Sequence, residues 1–268
     1  MIAYSGLTLM QPESNMKQTA VAAKQFGETA SAYLTSTVHA QGEDLKRLQT
    51  IVGGQSIAKV LDLGCGGGHV SFAVAPSVAS VVACDLSVQM LEVVAAAAQQ
   101  RGLSNIVTQQ AQAEKLPFDD ASFDIVITRF SAHHWYDVPA GLREAHRVLK
   151  TGGRMIVIDI VAPEQPLLDT MLQSVEILRD ASHVRDYRIS EWSAMLRAVG
   201  FATQDAVQQW RLKMVFADWI ARMRTPAERV TAIRSLFDGA SEEVRHHFAV
   251  ESDHSFTIDS AFFEAVKS

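Results

Sequence analysis

The sequence predicts a mixed α/β protein built on a doubly wound, mostly parallel sheet of seven strands with helical insertions. Two observations predict this fold class. Short apolar runs rich in β-branched residues alternate with segments of helix length over residues 59–160. A glycine-rich stretch, VLDLGCGGGHV at 60–70, follows directly from the first of these runs. In doubly wound sheets, such a strand–turn–helix junction lies beside the bound ligand.

Composition and charge narrow the class of protein. The chain has 268 residues, 48% of them hydrophobic, and a formal charge of -6, enough for one sizeable core or a core with a lid. Acidic and basic residues are mixed, which disfavours a nucleic-acid or anionic-lipid partner. Cys65 and Cys84 have neither metal-site nor disulfide spacing. We therefore expect no metal, no membrane span and a cytoplasmic location.

The strands are predicted from the apolar runs in chain order. Five come first, and two more are expected near the carboxyl end, where the alternation resumes. The predicted strands are 59–63, 80–85, 105–109, 123–129, 153–160, 201–213 and 255–267.

Capping residues predict the helices between the strands. Ser87 is a plausible N-cap for a helix that runs to Gly102, and Asp137 precedes another with Pro139 in its first turn. That second helix is expected to stop at Gly152-Gly153. Further helices are predicted from about Met16, from 69, over 167–180 and 189–200, and between 216 and 248.

The glycine stretch predicts a small-molecule site. Asp62, Gly64, Gly66 and Gly68 form an acid followed by alternating glycines, so backbone can approach a ligand without Cβ interference. The dinucleotide fingerprint would need glycine where His69 stands, and no Gly-Lys-Ser/Thr follows for a P-loop. The alternative is a tight structural turn.

A second acid points to a nucleoside. Asp85 ends the next strand about 20 residues further on, where a carboxylate can accept hydrogen bonds from both ribose hydroxyls. Helix capping is the alternative role, although Ser87 is better placed for it. Ala113 and Glu114 follow the third strand and lie beside the same switch point.

At these places the sequence resembles the class I S-adenosylmethionine-dependent methyltransferases, with a Rossmann-like fold. The resemblance rests on VLDLGCGGGHV, VVACDLS, AQAEKLPFDDASFD and LREAHRVLKTGGRMIVID, in family order and spacing. Within that superfamily the chain is similar to the UbiE/YcgJ type (Methyltransf_11), including FGETASAYLTSTVHAQGEDL, FSAHHW and SHVRDYRISEWSAML. The resemblance implies S-adenosylmethionine as donor and S-adenosylhomocysteine as product.

The resemblance also implies roles for individual residues. Asp62, Gly64 and Gly66 would hold the methionine end of the cofactor, and Asp85 the ribose. The adenine would be flanked by Leu86 and Met90, with its edge at Ala113 and Glu114. Residues 128–130 would border the methionine moiety, and the N-terminal cover would contribute Phe26, Tyr33 and His39. Phe26 and Tyr33 can equally be packing residues on one helical face.

The chemistry requires little catalytic apparatus. A sulfonium leaves as a neutral thioether without an acid, and positioning alone is worth roughly 7 to 11 kcal/mol in favourable systems. A base would add ~10² to 10⁴ in rate for a phenol, enol or carbon acid. The candidates are His133 and His134, which can also be non-catalytic. Arg129 could orient an anionic acceptor or the cofactor carboxylate, or form a structural ion pair.

We therefore expect a methyltransferase for a small-molecule acceptor, with a homodimer possible. Residues 1–50 would form an extension and helical cover, and 51–268 the core, with insertions near 163–183 and 216–248 shaping the acceptor pocket or an interface. One alternative is a non-enzymatic protein that binds S-adenosylmethionine or S-adenosylhomocysteine. A nucleic-acid or protein methyltransferase is disfavoured because ITRFSAHH replaces an Asn/Asp-Pro-Pro-aromatic motif. A nicotinamide-dependent dehydrogenase is less favoured than any of these functions.

Overall fold

A computed structural model describes residues 17–35, 42–203 and 207–268, without the side chains of 27–35. One central sheet organises these residues. Its strands, in chain order, are β1 (Lys59–Leu63), β2 (Ser80–Asp85), β3 (Ile106–Gln110), β4 (Phe123–Arg129), β5 (Leu149–Ala162), β6 (Tyr187–Arg188), β7 (Phe201–Thr203), β8 (Gln208–Met214) and β9 (Phe256–Lys267).

Helices cover both faces and one end of the sheet. They are α1 (Gln18–Thr35), α2 (Glu43–Val52), α3 (His69–Val74), α4 (Val88–Gln100), α5 (Val138–Val148), α6 (Pro166–Arg179), α7 (Ile189–Ala198), α8 (Phe216–Arg222), α9 (Ala227–Asp238) and α10 (Glu242–His247). Within the described part of the chain, no helix is long and apolar enough to cross a membrane.

The strand order confirms the doubly wound class. It runs β3-β2-β1-β4-β5-β9-β7, with β1 to β5 parallel and β9 antiparallel to β5. The order reverses between β1 and β4, and in open α/β sheets that switch point opens a crevice at the carboxyl ends of the strands. Ligands of this fold class bind there.

The described sheet has nine strands rather than the predicted seven. The extra strands are the two-residue β6, paired with β5, and the division of 201–213 into β7 and β8. β8 pairs with the first half of β9 and β7 with its last residues, so the two share one long neighbour.

Local capping fixes two helices as predicted. The Ser87 hydroxyl accepts a hydrogen bond from the Met90 N–H at 3.3 Å, and the Asp137 carboxylate accepts one from the Ala140 N–H at 2.9 Å. The end of α5 differs from the prediction, since the helix stops at Val148 and β5 begins at once. Gly152, at φ +75°, lies within the strand, where the pairing of β4 with β5 changes register.

Candidate active site

A cleft lies at the carboxyl ends of β1, β2 and β4, against the first turns of α1. Its empty volume is about 1010 Å³, counting open solvent at its mouth. Polar groups come from the strand ends and the glycine turn, while α1 contributes Thr19, Ala22, Ala23 and Phe26. This size suits a nucleoside-sized ligand.

The glycine turn brings bare backbone to the cleft. Gly64, Gly66 and Gly68 have φ of +74°, +48° and +79°, which non-glycine residues adopt rarely. A Cβ on Gly64 would lie 1.8 Å from the Ser131 hydroxyl oxygen, whereas one on Gly66 would meet no protein atom within 4 Å. Gly64 therefore allows the turn to pack against the β4 side of the cleft. At Gly66, by contrast, the space beside the backbone is open.

Asp62 is a buried carboxylate at the end of β1. It is 1% exposed and lines the cleft. One oxygen accepts hydrogen bonds from the Ser71 N–H at 2.9 Å and the Ser71 hydroxyl at 2.6 Å. Burial raises the pKa of Asp62 to about 7, against the lowering effect of these hydrogen bonds. Such a group favours a cationic ligand, which would stabilise its ionised form.

Asp85 holds the glycine turn from the neighbouring strand. Its two oxygens accept hydrogen bonds from the main-chain N–H groups of Gly66 and Ser87, each at 2.9 Å. Burial raises its pKa despite these bonds. The carboxylate therefore has a fixed orientation and lines the cleft beside Leu86.

The adenine residues implied by the resemblance divide into two groups. Leu86, Ala113 and Glu114 line the cleft, and the Glu114 carboxylate accepts a hydrogen bond from the Asp137 N–H at 3.1 Å. Met90 is fully buried and is not part of the cleft wall. It lies in the first turn of α4, on the face that packs into the core.

Arg129 lines the cleft and forms a buried ion pair. Its Nε lies 2.5 Å from the Asp44 carboxylate of α2, and its guanidinium carbon lies 4.6 Å from the ring centre of Phe130. Among the roles expected for Arg129, the described contacts include the structural ion pair, with Asp44.

Helix α1 covers the cleft and reaches the inserted segments. Gln18 donates to the Ser182 carbonyl at 2.8 Å, and Gln25 donates to the Met223 carbonyl at 3.0 Å. Phe26, expected in the cover, lines the cleft and meets the ring of His134 edge-on at 4.7 Å. The side chain of Tyr33 and the whole of His39 lie outside the described residues.

A second chamber adjoins the cleft beyond the end of β4. Its empty volume is about 560 Å³, open solvent included, and its walls come from β5, α6, β8, α8 and β9. Phe130 and His134 line both the chamber and the cleft. The two spaces therefore share a wall made by these two side chains.

His133 is held in the chamber by a buried acid. Its Nδ1 lies 2.5 Å from Oδ1 of Asp159, which is 1% exposed. Burial alone would lower the pKa of His133, but the charge and hydrogen bond of Asp159 outweigh it and raise the pKa to about 9. His133 is therefore an imidazolium at neutral pH.

The neighbouring His134 has the opposite electrostatics. Burial and the positive charge of His133 lower the pKa of His134 to about 4, so its ring is neutral. Its Nδ1 lies 3.2 Å from the Ser182 carbonyl oxygen, which only accepts, so the proton is at Nδ1. Nε2 is then the basic nitrogen. Two adjacent histidines thus have different charges.

A buried polar network supports this wall. His183 and the main-chain N–H of Asp186 both donate to the Gln173 carboxamide oxygen at 3.1 Å. Burial lowers the pKa of His183 to about 2 and raises that of Asp186 far above its usual range. Asp159 and Asp186 were not predicted as site residues. An acid inside the apolar run MIVIDIVA was a usable signal for Asp159.

The described residues contain no group of three or more side chains that could hold a metal ion. Both predicted insertions reach the chamber, the first through Glu176 and Arg179 and the second through Trp219 and Arg222.

Known proteins resemble this chain in sequence and in structure. Residues 61–157 match the family model described as a methyltransferase domain. The chain is 49% identical to the uncharacterized protein YafE of Escherichia coli over 201 residues, which is 75% of this chain and 97% of that protein. It is 38% identical to the uncharacterized methyltransferase YcgJ of Bacillus subtilis over 90% of this chain and 97% of that one.

The crystal structure of YcgJ superimposes with a TM-score of 0.80 over 84% of this chain and 98% of that chain. A demethylmenaquinone methyltransferase of Clavibacter sepedonicus is 34% identical, over 73% of this chain and 87% of that protein. Likeness to YcgJ extends well beyond the glycine turn, because the matched stretch covers 90% of this chain.

Proposed function

Because this chain belongs to the S-adenosylmethionine-dependent methyltransferases, we propose that it methylates a small molecule. The cofactor occupies the cleft and the acceptor occupies the chamber. The proposal rests on the fact that Phe130 and His134 line both spaces. Ligands bound in the cleft and in the chamber would meet there without crossing bulk water. The mixed acidic and basic surface and the formal charge of -6 disfavour a nucleic-acid acceptor.

The residues of the cleft fit the cofactor. Asp62 offers a buried carboxylate for an ammonium group, and Asp85 offers oxygens for ribose hydroxyls. Gly66 leaves space that any Cβ would reduce. Leu86 and Ala113 add apolar wall, and Glu114 adds a polar edge, for the adenine. We assign these residues, with Gly64, to cofactor binding.

When bound, S-adenosylmethionine supplies an activated methyl group whose leaving group is a neutral thioether. The chain therefore has to align the acceptor and remove water. Phe130 and His134 line both spaces, and Phe26 of α1 packs edge-on against His134. Such positioning accounts for roughly 7 to 11 kcal/mol in favourable systems.

His134 is the better of the two candidate bases. Its Nε2 is unprotonated at neutral pH, and the ring touches both spaces. His133 already carries two protons and keeps them against Asp159. A base has to arrive without its proton, so we assign the acceptor's proton to His134, as a weak base because its pKa of about 4 lies below neutral pH, and His133 serves another role.

The two insertions then belong to the acceptor side. Segments 163–183 and 216–248 contribute Glu176, Arg179, Trp219 and Arg222 to the chamber. Residues 1–50 act as the cover, with α1 bridging the cleft and both insertions through Gln18 and Gln25. We propose this division of the chain into cover and core.

Calorimetric titration with S-adenosylmethionine and S-adenosylhomocysteine tests the proposal, with NAD as the control ligand. We expect micromolar binding of both sulfur nucleosides and none of NAD. An acceptor screen with the loaded protein follows, in which transfer to small phenols, enols or amines is measured. Failure of both sulfur nucleosides to bind would refute the enzyme and leave a structural or assembly role.

A further inference from the structure

Two polar atoms in the chamber lack a hydrogen-bond partner within the described part of the chain. One is Oδ2 of Asp186, a side chain that is 1% exposed. The other is Nε2 of His133, since the ring's hydrogen bond is made by Nδ1. Both residues line the chamber. Buried polar groups are almost always paired, so unpaired ones at a cavity wall indicate a bound partner.

The donor at His133 is rigidly oriented. Asp159 accepts from Nδ1 of His133 at 2.5 Å and from the His133 N–H at 3.3 Å, and also from the Ile160 N–H at 2.9 Å. The ring cannot turn without breaking this set. Because the imidazole of His133 carries a proton on each nitrogen, Nε2 presents an N–H to the chamber.

Asp186 is fixed through its main chain. Its N–H donates to the carboxamide oxygen of Gln173 at 3.1 Å, and its carbonyl accepts from the Gln173 amide at 2.7 Å. Asp169 accepts from the same amide at 3.0 Å, which sets the orientation of the carboxamide. The carboxyl of Asp186 is therefore held at the chamber wall, where its Oδ2 has no hydrogen bond within the described residues and lies 3.9 Å from Nε2 of His183.

The other charged groups around His133 come from several elements. Asp159 lies on β5, Asp186 precedes β6, and Glu176 pairs with Arg179 on α6 at 3.2 Å. His134 and His183 are neutral because their pKa values are lowered. Arg179 of α6 and Arg222 of α8 line the chamber as well. The imidazolium of His133 differs from them because a buried acid fixes its orientation.

We propose that His133 and Asp186 bind the hydroxyl oxygen of a phenol or enol acceptor as its anion, His133 donating through Nε2 and the protonated carboxyl of Asp186 donating through Oδ2. This inference rests on the proposed function and names its substrate class. Both groups line the same chamber, where Met214 and Trp219 supply apolar wall for a ring and Arg179 and Arg222 add positive charge that favours an anionic oxygen. In this inference the ring of the acceptor packs against those apolar side chains.

The absorbance of 4-nitrophenol measures the ionisation of a phenol bound at this site, and the measurement needs no methyl transfer. The probe is mixed with protein loaded with S-adenosylhomocysteine and titrated with alkali. We expect the bound probe to ionise at least one pH unit below the free probe, a tenfold or greater preference for the phenolate. His133→Gln and Asp159→Asn should each abolish that preference, and Asp186→Asn should weaken probe binding.

A surface pair supplies the matched control. His254 and Asp238 form a histidine–carboxylate pair at 2.9 Å away from the chamber, so His254→Gln should leave the probe's titration unchanged. Binding of S-adenosylhomocysteine verifies that each variant is folded. Absence of probe binding, an unshifted titration, or a shift that survives both His133→Gln and Asp159→Asn would overturn the inference. Loss of nucleoside binding in the wild type would instead refute the proposed function.

Discussion

The cleft and the chamber are built in different ways although they share a wall. Apart from α1, the cleft is made within residues 62–136, where strand ends and their following turns carry the polar groups. The chamber draws on residues from Phe130 to Ile258, and its walls come from five separate elements. If the proposed function is right, cofactor recognition is local in sequence, and acceptor recognition is assembled from distant segments.

The electrostatics of the two regions differ as well. In the cleft, burial raises the pKa values of two acids, Asp62 and Asp85, which prepares them for donors on a ligand. In the chamber, Asp159 keeps His133 charged while its neighbour His134 is neutral. The difference suggests that one region binds and the other directs protons. Four measurements can break or sharpen that comparison.

The largest effect should follow His134→Gln. Removing the base is expected to lower kcat by ~10² to 10⁴ for the acceptor found in the screen. Affinity for S-adenosylhomocysteine, measured by calorimetry, should change little. A variant that lost nucleoside affinity and kept kcat would place His134 with the cleft instead and break the division between the regions.

Asp85→Ala should show the reverse pattern. Loss of a charge-assisted hydrogen bond costs ~1.5 to 3 kcal/mol, so the Kd for S-adenosylmethionine should rise by roughly 10- to 150-fold. Asp124→Ala is the matched control, because Asp124 also accepts a main-chain hydrogen bond, from Lys59 at 2.9 Å, at the opposite end of the sheet. Unchanged affinity in Asp85→Ala would remove Asp85 from the ribose site.

The pH dependence of cofactor affinity tests Asp62. Its pKa in the free protein is about 7, and a bound ammonium group would lower it, so binding releases a proton below that pH. Affinity should therefore rise about fivefold from pH 6 to pH 7 and about tenfold from pH 6 to pH 8, and level off above that. Calorimetry across this range should give a flat profile for Asp62→Asn. A flat wild-type profile would contradict the assignment.

The smallest effect is expected from the glycine turn. Gly66→Ala and Gly102→Ala both place a side chain at positive φ, +48° and +69°, and neither Cβ would meet an atom within 4 Å. Each should lower the free energy of unfolding by about 1 to 2 kcal/mol in denaturant titrations. Gly66→Ala alone should also weaken nucleoside binding severalfold. Equal affinities in the two variants would exclude close contact at Gly66.

The sequence predicts the cleft more fully than it predicts the chamber. The strands around the cleft were predicted within a residue or so, and Ser87 and Asp137 cap their helices as expected. Met90 was expected beside the adenine, and the structure buries it in the first turn of α4, outside the residues that line the cleft. A one-residue error in phase rotates a helical side chain by about 100°, so flanking residues are predicted less securely than turn residues.

The sequence by itself determined the fold class and the position of the cofactor cleft, because an acid, alternating glycines and a following helix make that geometry over a few residues. It also placed His133 and His134 together after β4. Only the tertiary structure decided that they differ, since Asp159 and Ser182 reach them from 26 and 48 residues away. The pairing of Arg129 with Asp44 has the same origin, at a separation of 85 residues. Burial and charge act through space, and spacing along the chain does not encode them.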